Sequence, residues 1–130
     1  MTQFEMITEF HRAYGQAAPA EPTLLPEGVQ DLRYRLIYEE LREYEEAVKA
    51  GDLVDIADAL ADLVYVVVGT AVAHGLTRFD EIFAEVHRSN MSKLGDDGKP
   101  IIRFDGKVLK GPKYTPPVLG PLLAALAVRA

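Results

Sequence analysis

The chain has 130 residues, with 20 Asp and Glu against 14 Lys and Arg, and no cysteine. That length fits one domain with a proper core, and the missing cysteine excludes disulfides, thiolate zinc sites and thiol nucleophiles. A net charge of −6 argues against nucleic acid as the main partner, because phosphate backbones demand a basic face.

The N-terminus, MTQFEMITEFHRAYG, mixes acids with apolar residues and lacks a basic start or a cleavage site, so it is no signal peptide. The apolar run 63–73 is too short to span a bilayer, and extending it upstream brings in aspartates. A cytoplasmic protein without a membrane partner is the expectation. Phe4, Ile7 and Phe10 predict a helix over 2–14, capped by Thr2 and stopped at Gly15. The stretch AAPAEPTLLPEG, with Pro19, Pro22 and Pro26, reads as an extended linker. A second helix is expected from about Val29 to Ala50, closed by Gly51. Asp52 caps a third, running to about His74, and a fourth covers about Phe79 to Met91. Residues 95–117 are rich in Gly, Pro and Lys, and their two DG pairs predict turns or a small hairpin. A terminal helix is expected over 118–130. The fold class is therefore all-α, an antiparallel helical bundle of four to five helices. The single domain 1–130 is expected to have its helical core at 29–94, followed by the Gly/Pro/Lys-rich loop at 95–117.

The third helix is apolar almost all round, yet it keeps Asp55, Asp58 and Asp62. These fall within a stripe roughly 60° wide, on a helix expected to be buried on most sides. On the second helix, YEELREYEE, the apolar residues Ile37, Leu41, Tyr44 and Val48 are expected to face inward, with Leu36 and Ala47 on one flank. Glu40 and Glu43 lie between that flank and the apolar arc, Glu39 borders them, and Arg42, Glu45 and Glu46 point outward. A one-residue glycine break makes the two helices an antiparallel hairpin, so two acidic stripes meet. Unpaired buried carboxylates are costly and repel one another. A divalent cation resolves this, and oxygen-only ligands select a hard ion, Mg²⁺ or Mn²⁺. The competing structural reading pairs the aspartates with Arg33, Arg35 or Arg88, and treats Asp55 as an acid favoured by the helix dipole. A di-iron bundle would need Glu-x-x-His pairs; none of His11, His74 and His87 has a glutamate three residues earlier, and all three are read as structural or exposed.

Arg88, Lys93, Lys107, Lys110 and Lys113 gather in the last third. An acidic metal site with mobile lysines suits a substrate that brings phosphates, such as a nucleoside triphosphate. The alternative for the lysines is a solvated loop.

With EELRE, LADLVYVVVGTA, EVHRSNMSK and DGKVLKGPKY in view, residues 29–115 resemble the all-α nucleoside triphosphate pyrophosphatases, often called MazG-like. These include phosphoribosyl-ATP pyrophosphohydrolase and dimeric dUTPase-like enzymes. That family's pattern is Glu-Glu-x-x-Glu on one helix and Glu-x-x-Asp on the next; Glu39, Glu40, Glu43 and Asp62 match it, and Ala59 departs from it. Asp58, one turn before Asp62, is the replacement expected on helical spacing, with Asp55 as a second candidate. The resemblance implies hydrolysis of an α–β phosphoanhydride, with Glu40, Glu43, Asp58 and Asp62 holding the metal and Glu39 orienting or deprotonating water. It places Asn90, Lys93, Lys107, Lys110 and Tyr114 around the nucleotide, and it implies a homodimer that completes the bundle. Rival readings are a non-catalytic helical interaction module and a phosphohydrolase releasing orthophosphate; phosphoribosyl-ATP stays open as a substrate beside the free nucleotides.

Overall fold

The structure is a computed structural model describing residues 1–129, with side chains through Leu126; Ala130, last in the expected terminal helix, lies outside the described residues. Among the described residues there are five helices: α1 (Gln3–Ala13), α2 (Glu27–Ala50), α3 (Leu53–Ala73), α4 (Phe79–Met91) and α5 (Gly120–Arg129). The only extended pairing among them is an isolated antiparallel bridge, Ile102 to Val108. The fold is all-α. The chain forms two compact units, residues 1–77 and 78–129.

In the first unit, Thr2 and Glu5 cap α1 reciprocally: each side chain accepts the other's backbone N–H, at 3.1 and 2.9 Å. Its Ile7 and His11 are buried, and Phe10 meets Tyr65 of α3 edge-on with ring centroids 5.5 Å apart. The proline-rich linker is pinned to the end of α3, where Thr23 N–H donates to His74 O at 2.9 Å and His74 Nδ1–H donates to Thr23 O at 2.8 Å. Helix α2 starts two residues before the expected Val29, at Glu27. Pro26 supplies a fixed backbone angle ahead of the first turn, whose N–H groups need no intrahelical partner, so Gly28 costs little there. Gly51 ends α2 in the left-handed conformation at φ 67, which glycine adopts without strain. Asp52 then accepts Asp55 N–H at 3.1 Å and starts α3.

The side of α2 that meets α3 differs from the expected one. Arg33 and Ala47 are buried and Glu40 is half-buried, whereas Leu41 is 51% and Val48 48% exposed. The most buried stripe is thus the flank that carries the acid, while the main apolar arc is half-buried at Ile37 and Tyr44 and open at Leu41 and Val48. Helix α3 is likewise covered on fewer sides than expected. Ala59, Val68 and Ala71 to Ala73 are buried, but Leu53, Val54, Leu60, Val64 and Val67 are exposed, because within this unit only α1 and α2 pack on it. By length and composition α3 could cross a bilayer; its acids and its packed end are those of a core helix.

In the second unit, both DG turns form as expected. Gly98 and Gly106 have positive φ and donate to Gly95 O and Arg103 O at 2.9 Å each. Residues 115–118 are stitched to α4: Ser89 Oγ donates to Thr115 O at 2.9 Å, Thr115 N–H to Ser92 Oγ at 3.0 Å and Val118 N–H to Glu85 Oε1 at 3.2 Å.

Candidate metal centre

The hairpin brings Glu40 and Glu43 of α2 against Asp62 of α3, with one carboxylate oxygen of each within 4.8 Å of the others. This follows from spacing: Glu40 and Glu43 are one turn apart on α2, and the Gly51–Asp52 turn folds Asp62 back opposite them. Glu40 Oε2 is buried without a hydrogen-bond partner among the described residues. Burial, its contact with the Glu43 carboxyl, and the charges of Glu43, Asp62 and Glu39 push Glu40 up to about 7. Burial, then Asp58 and Glu43, likewise hold Asp62 above the usual carboxylate range.

Among the described residues no arginine relieves this crowding. Arg33 donates instead to Thr70 Oγ1 and Val66 O, at 3.1 and 2.8 Å, Arg35 pairs with Asp31, and Arg88 with Glu85. The structural reading of the aspartates therefore fails for each named partner. Three carboxylates crowded together, two of them holding protons more tightly than usual and one with an orphaned oxygen, fit a hard divalent cation by donor chemistry. Glu45 and Glu46, by contrast, pair outward with Lys49 and Arg42 on the exposed face.

Asp58 is exposed and stands outside the group of three, although its charge acts on Asp62. It lines an adjoining cavity of about 380 Å³ with Glu43, Glu46, Asp55 and the small residues Ala47, Ala50 and Ala59. The buried Ala59 thus faces the seam, at the position where the family pattern has Glu, and its short side chain leaves the space beside Asp58. Glu39 is exposed at the border of the cluster, close enough to raise Glu40.

In the second unit Lys93, Lys110 and Tyr114 are drawn together. Gly111 N–H donates to Lys93 O at 2.8 Å, Tyr114 N–H to Gly111 O at 3.1 Å, and Lys110 Nζ lies 4.8 Å from the Tyr114 ring centre. Asn90 and Lys107 are exposed. Arg88, grouped by sequence with these cations, is engaged structurally: it also donates to Thr115 Oγ1 and Pro116 O, at 2.6 and 3.1 Å.

Residues 7–90 match the model of the phosphoribosyl-ATP pyrophosphohydrolase family. This chain belongs to that family. The match spans the whole α2–α3 hairpin and all four acids proposed as ligands. Among solved structures, the chain is similar to a candidate NTP pyrophosphohydrolase from Exiguobacterium sp. 255-15, at 27% identity and a TM-score of 0.50, covering 99% of this chain and 95% of the other. No curated protein sequence gives a significant match. The chain is thus a hydrolase of the pyrophosphohydrolase kind, acting on acid anhydrides, and the reading as a non-catalytic module gives way. Sequence reasoning offered Arg33 to the aspartates and read His11 as structural or exposed, but did not place either at α3; the signal was Gly69-Thr70, a small residue and a hydroxyl inside an otherwise apolar helix.

Proposed function

We propose that this pyrophosphohydrolase is metal-dependent and cleaves the α–β phosphoanhydride of a nucleoside triphosphate, yielding the monophosphate and pyrophosphate. The observation that carries this reading is the α2–α3 seam, where Glu40, Glu43 and Asp62 converge with one buried, unpartnered oxygen and, among the described residues, no cationic partner. Glu40, Glu43 and Asp62, joined by Asp58 across the space at Ala59, would hold Mg²⁺ or Mn²⁺. When bound, the ion neutralises charge on the phosphates being separated. Glu39 orients a water molecule and takes its proton as the water oxygen bonds to phosphorus and pyrophosphate departs. Lys93, Lys107 and Lys110 hold phosphate oxygens as point charges, with Asn90 and Tyr114 beside the nucleotide.

The open arc of Leu41 and Val48 on α2 and the exposed Leu53, Val54 and Leu60 of α3 support a homodimer, since burying each such side chain is worth about 1.5–3 kcal/mol. The protein is assigned to the cytoplasm, acting on free nucleotides with no nucleic acid or membrane partner. The test is product analysis with a panel of nucleoside triphosphates, with Mg²⁺, Mn²⁺ or chelator. Metal-dependent monophosphate plus pyrophosphate is expected; orthophosphate as sole inorganic product would overturn the reading. The family match favours a second substrate, phosphoribosyl-ATP, which belongs in the same panel.

A further inference from the structure

Among the described residues Arg33 is the only buried arginine, at 7% exposed, and the phosphate chemistry leaves it without a role. No carboxylate pairs with it among those residues. Burying a cation in this way is expensive. Its guanidinium instead reaches from α2 across to α3, where Nε donates to Thr70 Oγ1 at 3.1 Å and Nη2 to Val66 O at 2.8 Å. The Thr70 hydroxyl donates in turn to Val66 O at 2.8 Å, which closes the three groups into one network. Helix α3 makes room for the guanidinium at Gly69, where a Cβ would stand 2.5 Å from Arg33 Nη2.

The place of this bond along the hairpin gives it meaning. On α2, Arg33, Glu40 and Ala47 recur every seven residues, so they share one stripe, and that stripe is the covered one. On α3 the facing stripe is Ala59, Asp62, Val66 and Gly69, all buried or half-buried. The seam therefore has small residues near the Gly51 turn, acids in the middle, and the Arg33 bond beyond them. Val66 lies one turn, about 6 Å, past Asp62, and Arg33 lies two turns before Glu40.

We propose that Arg33 is a positioning residue: it holds α2 to α3 against the repulsion of Glu40, Glu43 and Asp62, and so keeps those acids at the spacing a cation needs before any ion arrives. Apolar side chains can slide past one another at little cost. Two donors on a planar fork, one of them bound to a backbone carbonyl, fix both the separation and the register of the helices, because such bonds tolerate only a few tenths of an ångström. A hard ion such as Mg²⁺ demands near-ideal geometry, and ligands must be held to about 0.5 Å. The proposal rests on the reading that the acids bind metal, and Arg33 acts on that site through the α3 backbone rather than by touching the ion.

The test is calorimetric titration of the full-length protein with Mn²⁺, well below its melting temperature. Arg33→Met should weaken Mn²⁺ binding at least about tenfold, the lower end of what groups supporting metal ligands contribute. Thr70→Val keeps the shape of α3 and removes one acceptor, for a loss of about threefold; Arg33→Lys, which retains one donor group, should recover part of the Arg33→Met loss. Ile7→Val, in the buried face of α1, should lower the melting temperature and leave Mn²⁺ affinity unchanged. At saturating Mn²⁺ the Arg33→Met protein should turn over within about twofold of the parent at an unchanged KM, since the bound ion then draws the acids together. Unchanged Mn²⁺ affinity in Thr70→Val and in any Arg33→Met protein that folds overturns the proposal. So does an affinity that falls with melting temperature in Ile7→Val as well, the mark of a merely structural role, or a KM raised at saturating Mn²⁺, the mark of contact with substrate. A parent that binds no Mn²⁺ removes the acid-site reading and the clamp with it; a parent that binds Mn²⁺ no better than the variants removes the clamp alone.

Discussion

Residues 1–77 carry five Lys and Arg against fourteen Asp and Glu, whereas residues 78–130 carry nine against six. The two regions also handle charge in opposite ways. In the second, Arg103 pairs with Asp105 and Arg88 with Glu85, each within three residues; such pairs are short-range, solvated and worth little individually. In the first, the outer face of α2 is paired in the same local manner, but its seam with α3 presses three carboxylates together. Among the described residues the outer acids Glu45 and Glu46 find cations one turn away, whereas the three acids of the seam find none.

Removing a carboxylate from the seam should have the largest effect. Glu43→Gln or Asp62→Asn is expected to lower kcat at least about 100-fold, while the metal-free protein melts no lower than the parent, because a source of repulsion has gone. Glu45→Gln, which removes the exposed partner of Lys49, should do neither. Steady-state kinetics and thermal melts in chelator read both halves, and a large loss of stability in Asp62→Asn would break the comparison.

Proton linkage gives the next test. Glu40 stands at about 7 in the fold, against an ordinary value of 4.5, and Asp62 is also raised. The native state therefore holds protons that the unfolded chain has lost, so the metal-free protein loses stability as pH rises from about 4.5 through 7. Glu85 and Asp105, both held below their usual range, act in the opposite sense at lower pH. A saturating metal displaces those protons, so stabilisation by Mg²⁺ or Mn²⁺ should grow through pH 7. At about 100 times its dissociation constant the ion adds roughly 2.7 kcal/mol. Melting curves at pH 5 and pH 8, with metal and with chelator, check the sign; a chelated protein more stable at pH 8 than at pH 5 would contradict the crowded seam.

A third test concerns the open arc. Leu41→Glu should convert a dimer to monomer in sedimentation velocity at micromolar concentration, since it buries a charge where an apolar side chain was to be covered. A parent protein that already sediments as a monomer would remove the dimer from the reading.

Much of this was legible beforehand because helical periodicity, caps and glycine stops are local. Thr2, Gly51 and Asp52 set helix ends as their chemistry dictates. The meeting of Glu40 and Glu43 with Asp62 follows from a one-residue turn and two periodicities. What the pattern misplaced was which stripe of α2 packs. Periodicity ranks Leu41 and Val48 as inward, but Arg33, Glu40 and Ala47 are the residues of α2 that are covered. Nor could spacing reveal the role of Arg33, since its partners Val66 and Thr70 lie 33 and 37 residues away. Spacing likewise could not reveal that Arg88 reaches Thr115 and Pro116, 27 and 28 residues away.

The smallest expected effect returns to the basic region, where Arg103 and Lys110 stand seven residues apart with opposite local fates. Arg103 is held by Asp105 through two hydrogen bonds, and Asp105 also accepts Lys107 N–H at 3.2 Å. It therefore shapes the turn. Lys110 lies over the Tyr114 ring and pairs with no carboxylate among the described residues, so its ammonium can turn to a phosphate at little cost. Lys110→Ala should raise KM about fivefold with kcat nearly unchanged, the signature of lost ground-state binding, and should flatten the dependence of KM on ionic strength. Arg103→Ala should leave KM within about twofold and instead loosen the Asp105–Gly106 turn, seen as faster amide exchange at Gly106 and Lys107. If the two substitutions raise KM equally, the contrast between paired and unpaired cations fails, and the basic region acts only through its summed field.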